Sequence, residues 1–540
     1  MNGPDTQDIS NSNWDGEVVI IRDQSYIFRI TLYNTVTKRP LNLPFKLVEN
    51  LVIEENLSTW WTKGWITIIN NFEVIERASD NPLSTDQEQS KEQNAFFAFR
   101  HDGRNHINIK IDTVPASNNI IENKNWSMDY DFVVYDVEDI ETDSSILKAK
   151  KIYFIDERYQ TLAERNIPWS TSTHGSAAES AKQQNIPISY LTDVERKMVP
   201  NEAIKSIIQT AACNDFTQSS GQQGQVNVGF DKFGSIINPN ISLANFDDDN
   251  WSTINDDPDN LIFYTSPANS NALNDVNSML SFAKGPDNDP VFLRLGRYNK
   301  KWSLVSLSDI FSKSLQIERM SIQDGLEGGI KAYMPRAATF DDSGKILNVF
   351  SGRTSIMRNY KFASMAPIDD MRLTNRPVHM MNFSEGIYNI YFEENKIENI
   401  FNNITNLGKK GLYSFNKEDG GNQIWLNINQ TKIQGISLEN SFLTQGSSDL
   451  MMVQMLKDAI FLNQALYFQS DGLTLRQPGT FLFVDRDGSS EINLFDDKFL
   501  GQWLINKVVH YFDSTKYVTD VYATKIDGVN KHWDVLDKNW

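Results

Sequence analysis

The chain reads as a mainly β protein with α+β insertions, in which antiparallel β domains at the two ends flank a mixed α/β middle. Three observations predict this. Short runs rich in β-branched and aromatic residues, separated by turn residues, fill residues 13–155 and return after residue 388. Helical spacing of apolar residues is concentrated between them. The stretch 475–526 closes the chain with three strand-like runs, the last two joined by four residues, Asp513 to Lys516, which is hairpin length.

In the first part, residues 17–22 (EVVIIR) and 26–33 (YIFRITLY) are separated by Asp23-Gln24-Ser25 and predict a hairpin. Residues 45–54 (FKLVENLVIE) and 64–69 (GWITII) follow as strands around the loop 56–59, with the tandem Trp60-Trp61 between them. Exposed tandem tryptophans are costly, so they either anchor a barrel wall or bury in a neighbouring chain, and the wall is preferred. Polar residues 79–94 read as a surface loop. Strand-like runs then recur at 95–100, 105–111, 129–136 and 147–155. Roughly seven or eight short strands with polar breaks predict a sandwich or barrel.

The pattern changes at Asp156. Residues 157–164 and 192–199 look helical, and 201–213 place Ala203, Ile204, Ile207, Ile208 and Ala211 at amphipathic spacing. Residues 169–184 between them read as a loop or short helix, and 217–225 (TQSSGQQGQ) as a linker. Beyond it, 261–265 (LIFYT) predicts a buried strand, 271–282 a helix, 291–295 a strand and 307–314 a helix. After residue 388, strands are expected at 388–392, 424–429, 433–438, 465–469, 480–484, 503–512 and 517–526, with an amphipathic helix at 448–463. Gln477-Pro478-Gly479 and Asp485-Arg486-Asp487-Gly488 carry turn chemistry. The domains expected are 1–155 (β), 156–225 (helical insertion and linker), 226–387 (mixed α/β) and 388–540 (β with one helix), and the two β domains invite comparison as an internal duplication.

A chain of 540 residues, 40% hydrophobic and 11% aromatic, has material for several cores. The formal charge of −19 and pI near 4.8 argue against a nucleic-acid- or membrane-binding surface, since phosphate contacts need clustered Lys and Arg; the same acidity keeps a protein soluble. The single cysteine, Cys213, excludes intramolecular disulfides and Cys-based metal clusters and reads as a small buried thiol. The opening MNGPDTQDISNSNW has no basic n-region and no apolar h-region, so no secretory signal is expected, and no run approaches the ~18 apolar residues of a membrane span.

Motifs that would carry chemistry are missing from the sequence. The six histidines (101, 106, 174, 379, 510 and 532) form no H-E-x-x-H, H-x-H or Cys/His array. His510 reads as a hydrogen-bonded strand residue. No G-x-S-x-G, P-loop or dinucleotide fingerprint occurs. The acidic clusters Asp247-Asp248-Asp249, Asp256-Asp257 and Asp287 with Asp289 lack an EF-hand framework and read as solvated loops, and Asp485-Arg486-Asp487-Gly488 begins like a calcium loop without continuing as one. Adjacent acids such as Glu54-Glu55 do not provide two carboxyls facing across a cleft. The expectation is no enzyme: no catalytic residue, no cofactor and no metal.

Segment order does point to a family. FKLVENLVIEENLSTWWTKGWITII (45–69), LIFYTSPANSNALNDVNSMLSFA with DNDPVFLRLGRYNKKWSLVSLSDIF (261–311), and RQPGTFLFVD, DDKFLGQWLINKVVHYF and YVTDVYATKI (476–526) resemble the first barrel, middle region and second barrel of hub proteins in tailed-phage baseplates, and with them the hub portion of contractile injection-system spikes. The resemblance covers most of the chain. It implies tube-like β-barrels at both ends, and a homotrimer whose six barrels surround a channel, joining a sixfold tail tube to a threefold spike or needle. The implied partners are itself, the tail tube protein, the central spike or needle protein and other baseplate proteins; DNA passes through the channel without specific binding, and this chain inserts in no membrane. The implied location is the virion tail or baseplate, after assembly in the host cytoplasm. Trp60, Trp61, Trp65, Trp503 and Phe512 are the candidate subunit-interface or barrel-wall residues, and the loop 485–497 and the turn 513–516 are candidate rim contacts. The competing readings are a tail-associated host-contact or fibre-attachment protein and, further off, a tail peptidoglycan hydrolase, which would need a catalytic domain where only residues 527–540 follow.

Overall fold

A computed structural model describes residues 16–21, 24–33, 40–70, 105–114, 127–140, 148–192, 195–213, 245–251, 261–285, 289–297, 300–307, 309–310, 331–334, 357–363, 378–382, 387–391, 424–427, 465–474, 476–486 and 501–525. The fold is mainly β with helical insertions. The first strand set is β1 (Glu17–Ile21), β2 (Gln24–Tyr33), β3 (Pro40–Leu43), β4 (Val48–Asn56), β5 (Lys63–Asn70), β6 (His106–Val114), β7 (Ser127–Ile140) and β8 (Lys148–Asp156). Next come α1 (Glu157–Glu164), α2 (Thr171–His174), α3 (Ser176–Gln183), α4 (Pro200–Cys213), β9 (Phe246–Trp251), α5 (Ala272–Phe282), β10 (Val291–Leu295) and β11 (Trp302–Ser306). The later strands are β12 (Lys331–Met334), β13 (Arg358–Ala363), β14 (Val378–Asn382), β15 (Ile387–Tyr391), β16 (Ile424–Asn427), β17 (Ala465–Asp471), β18 (Phe481–Arg486), β19 (Gly501–Phe512) and β20 (Tyr517–Lys525).

Strands from both ends of the chain share one large, curled, mostly antiparallel sheet. Its path is β1-β2-β6-β7-β8-β5-β4-β19-β20-β17-β13; β3 pairs with β2, β18 with β19, and β12 lies parallel to β18. The join between the early and late strands is β4 against β19, in antiparallel register from Lys507↔Asn56 to Phe512↔Leu51. The two strand sets that the sequence presents at opposite ends of the chain are therefore hydrogen-bonded side by side. A second sheet runs β10-β11-β9 and a third β15-β14-β16.

Period-2 alternation builds the first core. Tyr26, Phe28, Ile30 and Leu32 of β2 and Ile107, Ile109 and Ile111 of β6 are buried together, each fully buried large side chain contributing roughly 1.5–3 kcal/mol relative to exposure. The closing hairpin enters the same core. Phe512 meets Phe28 edge-on at 5.4 Å and stacks on Tyr517 at 4.0 Å, while Tyr517 lies edge-on to Tyr26 at 5.4 Å. A separate cluster unites Leu466, Phe468, Leu482, Val484, Trp503, Ile505, Val508 and Val521 from the late strands.

The middle region has its own core. α4 buries Ala203, Ile204, Ile207, Ile208 and Ala211 against α5 and the second sheet, as their spacing predicts. Asp156 caps α1 by accepting a hydrogen bond from Arg158 N at 2.8 Å, and Asn271 caps α5 through Asn274 N.

Local expectations differ from the structure at five places, one of them Asp289, read as part of a solvated loop but fully buried. Residues 45–47 form a 3-10 turn before β4 begins. Residues 195–196 form a turn and Met198 bridges Ile262, so 192–199 is not the helix its composition suggests; exchange of backbone hydrogen bonds with Ile262 competes with helical bonding there. The run 261–265 is not a continuous strand but two isolated bridges, Met198↔Ile262 and Ser170↔Thr265. Asp247 to Asp249 belong to β9 rather than a loop, because Phe246 and Trp251 at its ends are held 5.2 Å apart in the middle core. Expectations for residues 79–100, 217–225, 256–257, 433–438, 448–463 and 487–497 and for His101 and His532 lie outside the described residues, as do the side chains of Cys213 and His379.

Gly64 tests the β4–β5 pairing. A Cβ there would lie 2.0 Å from the Val52 carbonyl oxygen and 2.9 Å from the Phe154 ring. Gly64→Ala is expected to cost roughly 1–3 kcal/mol, read as a lowered unfolding midpoint, whereas alanine at the exposed neighbour Lys63 leaves the midpoint nearly unchanged.

Candidate functional site

The join between β4 and β19 encloses a buried ionic network. Along β4, Leu51 and Ile53 face the core, so alternation sends Glu55 inward as well, and it is 7% exposed. On β19, His510 lies between Val508 and Phe512 on the inward face and is fully buried. The β10–β11 hairpin inserts Arg297 from the middle region. Its guanidinium forms a two-point pair with Glu55, with Nε donating to Oε1 at 2.7 Å and Nη2 donating to Oε2. Arg297 also donates to the carbonyls of Thr474 and Arg476, the latter at 2.6 Å.

The remaining valences of Glu55 are filled from two more strands. Tyr130 of β7 donates its hydroxyl to Oε1 at 2.8 Å, and His510 Nε2 lies 3.4 Å from Oε2. His510 Nδ1 meets the Tyr517 hydroxyl at 2.8 Å. The neutral Nε2–H tautomer satisfies both contacts, with Tyr517 donating to Nδ1.

Burial alone would raise the Glu55 carboxyl, but the Arg297 charge and the hydrogen bonds from His510 and Arg297 hold it well below the usual range. Burial lowers His510 to about 4, against the pull of Glu55, so it is neutral at pH 7. Burial likewise pushes the Tyr130 and Tyr517 hydroxyls well above their ordinary value, which keeps them as donors.

Neighbouring contacts extend the clamp. Lys300, from the same hairpin as Arg297, reaches Asp129 at 3.0 Å and Asp131 at 2.5 Å on β7. Arg294 donates to the Pro478 carbonyl at 2.6 Å. That carbonyl belongs to the turn Gln477-Pro478-Gly479, where Gly479 takes φ +76° and the Arg294 guanidinium occupies the space a Cβ would need. Arg476, held by Thr519 Oγ1 and the Asp471 carbonyl at 2.8 Å each, ties the same segment to β20. The Thr113 and Thr474 hydroxyls, 2.8 Å apart, tie it to β6.

The predicted residues take separate places around this network. Trp60 is buried in the middle core, 4.7 Å from Trp302 and 5.4 Å from Trp61, which lies 4.5 Å from Tyr159. The tandem pair thus links the loop after β4 to the helical and mixed region. Trp65 is half-buried on β5 beside Tyr153, with Lys151 Nζ 4.9 Å from its ring centroid. Trp503 lies in the late-strand core, 5.8 Å from Phe362, and Phe512 lies in the first core. Of these, only Phe512 borders the network.

Glu55 and Arg297 are absent from the sequence-based candidates. Glu55 carries a readable signal, since two adjacent acids on one strand must face opposite ways. Arg297 carries none, because its partner lies 242 residues away.

Chemically the arrangement is a clamp, with each charged group committed to protein partners. Among the described residues no group of three or more His, Cys, Asp or Glu could hold a metal ion, and no helix is long and apolar enough to cross a membrane.

No protein-family model and no curated protein matches this chain. Among solved structures it is similar to the 43 kDa tail protein of prophage MuSo2 from Shewanella oneidensis, at 7% identity and TM-score 0.40, covering 93% of this chain and 98% of that one. It is similar to a tail protein from Neisseria meningitidis MC58 at 8% identity, TM-score 0.40 and the same coverage. It is also similar to the half-lidded Francisella PdpA-VgrG complex at 9% identity and TM-score 0.40, covering 94% of this chain and 59% of that one.

Two predictions follow the charges. Arg297→Met strands the Glu55 carboxylate and is expected to cost about 3–5 kcal/mol, whereas the double variant Arg297→Met with Glu55→Met recovers much of that loss, read by denaturant unfolding at neutral pH. His510 has a folded pKa depressed below its ordinary 6.5. Its contribution is therefore complete above pH 6.5 and is lost, at up to about 1.4 kcal/mol per pH unit, as pH falls toward 4. Asp156 runs the other way: burial raises it from 3.8 to about 6 against Arg158, so its contribution is complete below 3.8 and is lost as pH rises through 6. Comparison with His510→Gln separates the two. Wild type is expected to be the more stable at pH 8, with the gap closing between pH 6.5 and 4; a constant gap would refute the assignment to His510.

Proposed function

We propose that this chain is a structural protein of a phage tail or a related injection machine, a trimeric hub that joins a sixfold tail tube to a threefold central spike and surrounds the channel for DNA ejection. The observation that carries the reading is the β4–β19 join, which holds strand sets from opposite ends of one chain side by side in a single sheet. A threefold assembly of such chains would present six β units, which is how a trimer can meet a sixfold partner. The segment order read from the sequence supports the same role.

In this reading the units at 1–155 and 388–540 are the tube-like barrels. The middle region, 226–387, lends β12 and β13 to the same sheet and braces the barrels through Arg297, Lys300 and Arg294. Trp65, Trp503 and Phe512 belong to the walls, and Trp60 and Trp61 fasten the wall to the middle. The net charge of −19 suits a conduit to which DNA does not adhere. The partners are then further copies of this chain, the tail tube protein, the spike or needle and neighbouring baseplate proteins. The chain acts as a structural part of the virion, not an enzyme, and is assembled in the host cytoplasm.

Electron microscopy of the purified full chain tests this. A ring of three copies with an open centre and six-lobed density on one face is expected. A compact monomer at all concentrations would overturn the reading.

A further inference from the structure

The path of the large sheet ends at β1 on one side and at β13 on the other. Alternation along β1 sends Val19 and Ile21 toward the first core, where Ile21 is buried and Val19 packs against it. Val18 and Ile20 point out, at 63% and 68% exposure, more than any other described aliphatic side chain. Ile27, opposite Val18 in register, is partly exposed and widens the apolar strip. An edge of this kind is a template for pairing with another chain, and edges that stay in water usually carry Lys or Pro or a bulge. β1 has none of these; it pairs with β2 in unbroken register, and its one charge is Glu17.

The opposite end has complementary chemistry. β13 carries Arg358 and Lys361, with exposed Tyr360 between them and Phe362 partly buried against the late-strand core. Arg358 is already paired with Asp471, and Lys361 is exposed. Asn359, at φ 49°, marks the register shift with β17, after which Lys361 to Ala363 pair regularly. Set against each other, the two edges place the one charge of β1, Glu17, within reach of the exposed Lys361, and the exposed aliphatics of β1 beside Tyr360.

We propose that β1 of one copy packs against β13 of the next copy of this chain, a head-to-tail contact that repeats around the trimer. It rests on the trimeric reading above and names the surfaces that close it. A heterologous contact of this type closes a ring of three when its rotation is 120°. Val18 and Ile20 are buried by the neighbour's Tyr360, and Glu17 answers its Lys361.

Sedimentation velocity and cross-linking on the full chain test the proposal. Val18→Glu with Ile20→Glu is expected to weaken trimerisation by about tenfold or more, with circular dichroism and unfolding midpoint close to wild type. Lys361→Glu is expected to weaken it, and Glu17→Lys in the same chain to restore it. Ile20→Cys with Tyr360→Cys, mildly oxidised, is expected to run as a covalent trimer on non-reducing gels, while either single variant, which like wild type retains Cys213, does not. A trimer indifferent to the glutamates and not captured by the cysteine pair would overturn this interface while leaving the hub reading intact. Covalent dimers from Ile20→Cys alone would overturn it in favour of a β1–β1 contact. A wild-type monomer at every concentration would overturn both.

Discussion

The buried pair between Glu55 and Arg297 is the interaction on which the architecture turns. A carboxylate inside a β join is costly to desolvate unless it is fully paired and hydrogen-bonded. Here a guanidinium from the middle region, a tyrosine from β7 and a neutral imidazole from β19 meet that requirement at once. Early strands, late strands and the β10–β11 hairpin must therefore all be in place before the charge is accommodated. An apolar residue at the same position could pack in several registers, whereas a bidentate ion pair tolerates few.

The apolar cores reinforce this coupling. Phe512 and Tyr517 belong to the last hairpin yet complete the core of the first strand set, stacking on each other and meeting Phe28 and Tyr26 edge-on. Trp60 leaves that set in the opposite direction and enters the middle core against Trp302. The late hairpin and the first strand set thus each contribute large aromatics to a neighbour's interior, so relative movement of these regions would expose apolar area. The outer face at the same join is of a different kind. Glu54 is flanked there by Lys63 at 3.6 Å and Lys507 at 2.9 Å, pairs that solvent screens and that contribute little.

The join is held from within by groups that satisfy one another. The charged side chains at its centre are committed to one another, and His510 and the two tyrosines are held in their neutral forms by burial. Among the described residues, the two ends of the sheet path carry exposed apolar side chains, the aliphatics of β1 and Tyr360 of β13.

Much of the local structure could be read from the sequence by itself. Period-2 alternation in 26–33 and 105–111, the 3-and-4 spacing of 203–211, the Pro-Gly turn at 478–479 and the hairpin at 513–516 are set by short-range sterics and by which side of an element can be apolar. The inward position of Glu55 was legible too, because Leu51 and Ile53 fix the inner face of β4. Three features were decided only in the tertiary structure. The run LIFYT became two isolated bridges because its partners are single residues, Met198 and Ser170, of a distant segment. The triple aspartate became a strand because the aromatics at its ends are buried. The pairing of β4 with β19, and the choice of Arg297 to fill it, depend on contacts 242 and more residues apart. Sequence periodicity reports which face of a strand is buried; it holds no record of which strand will lie beside it, because that is settled by the competition among all available edges once the chain is compact.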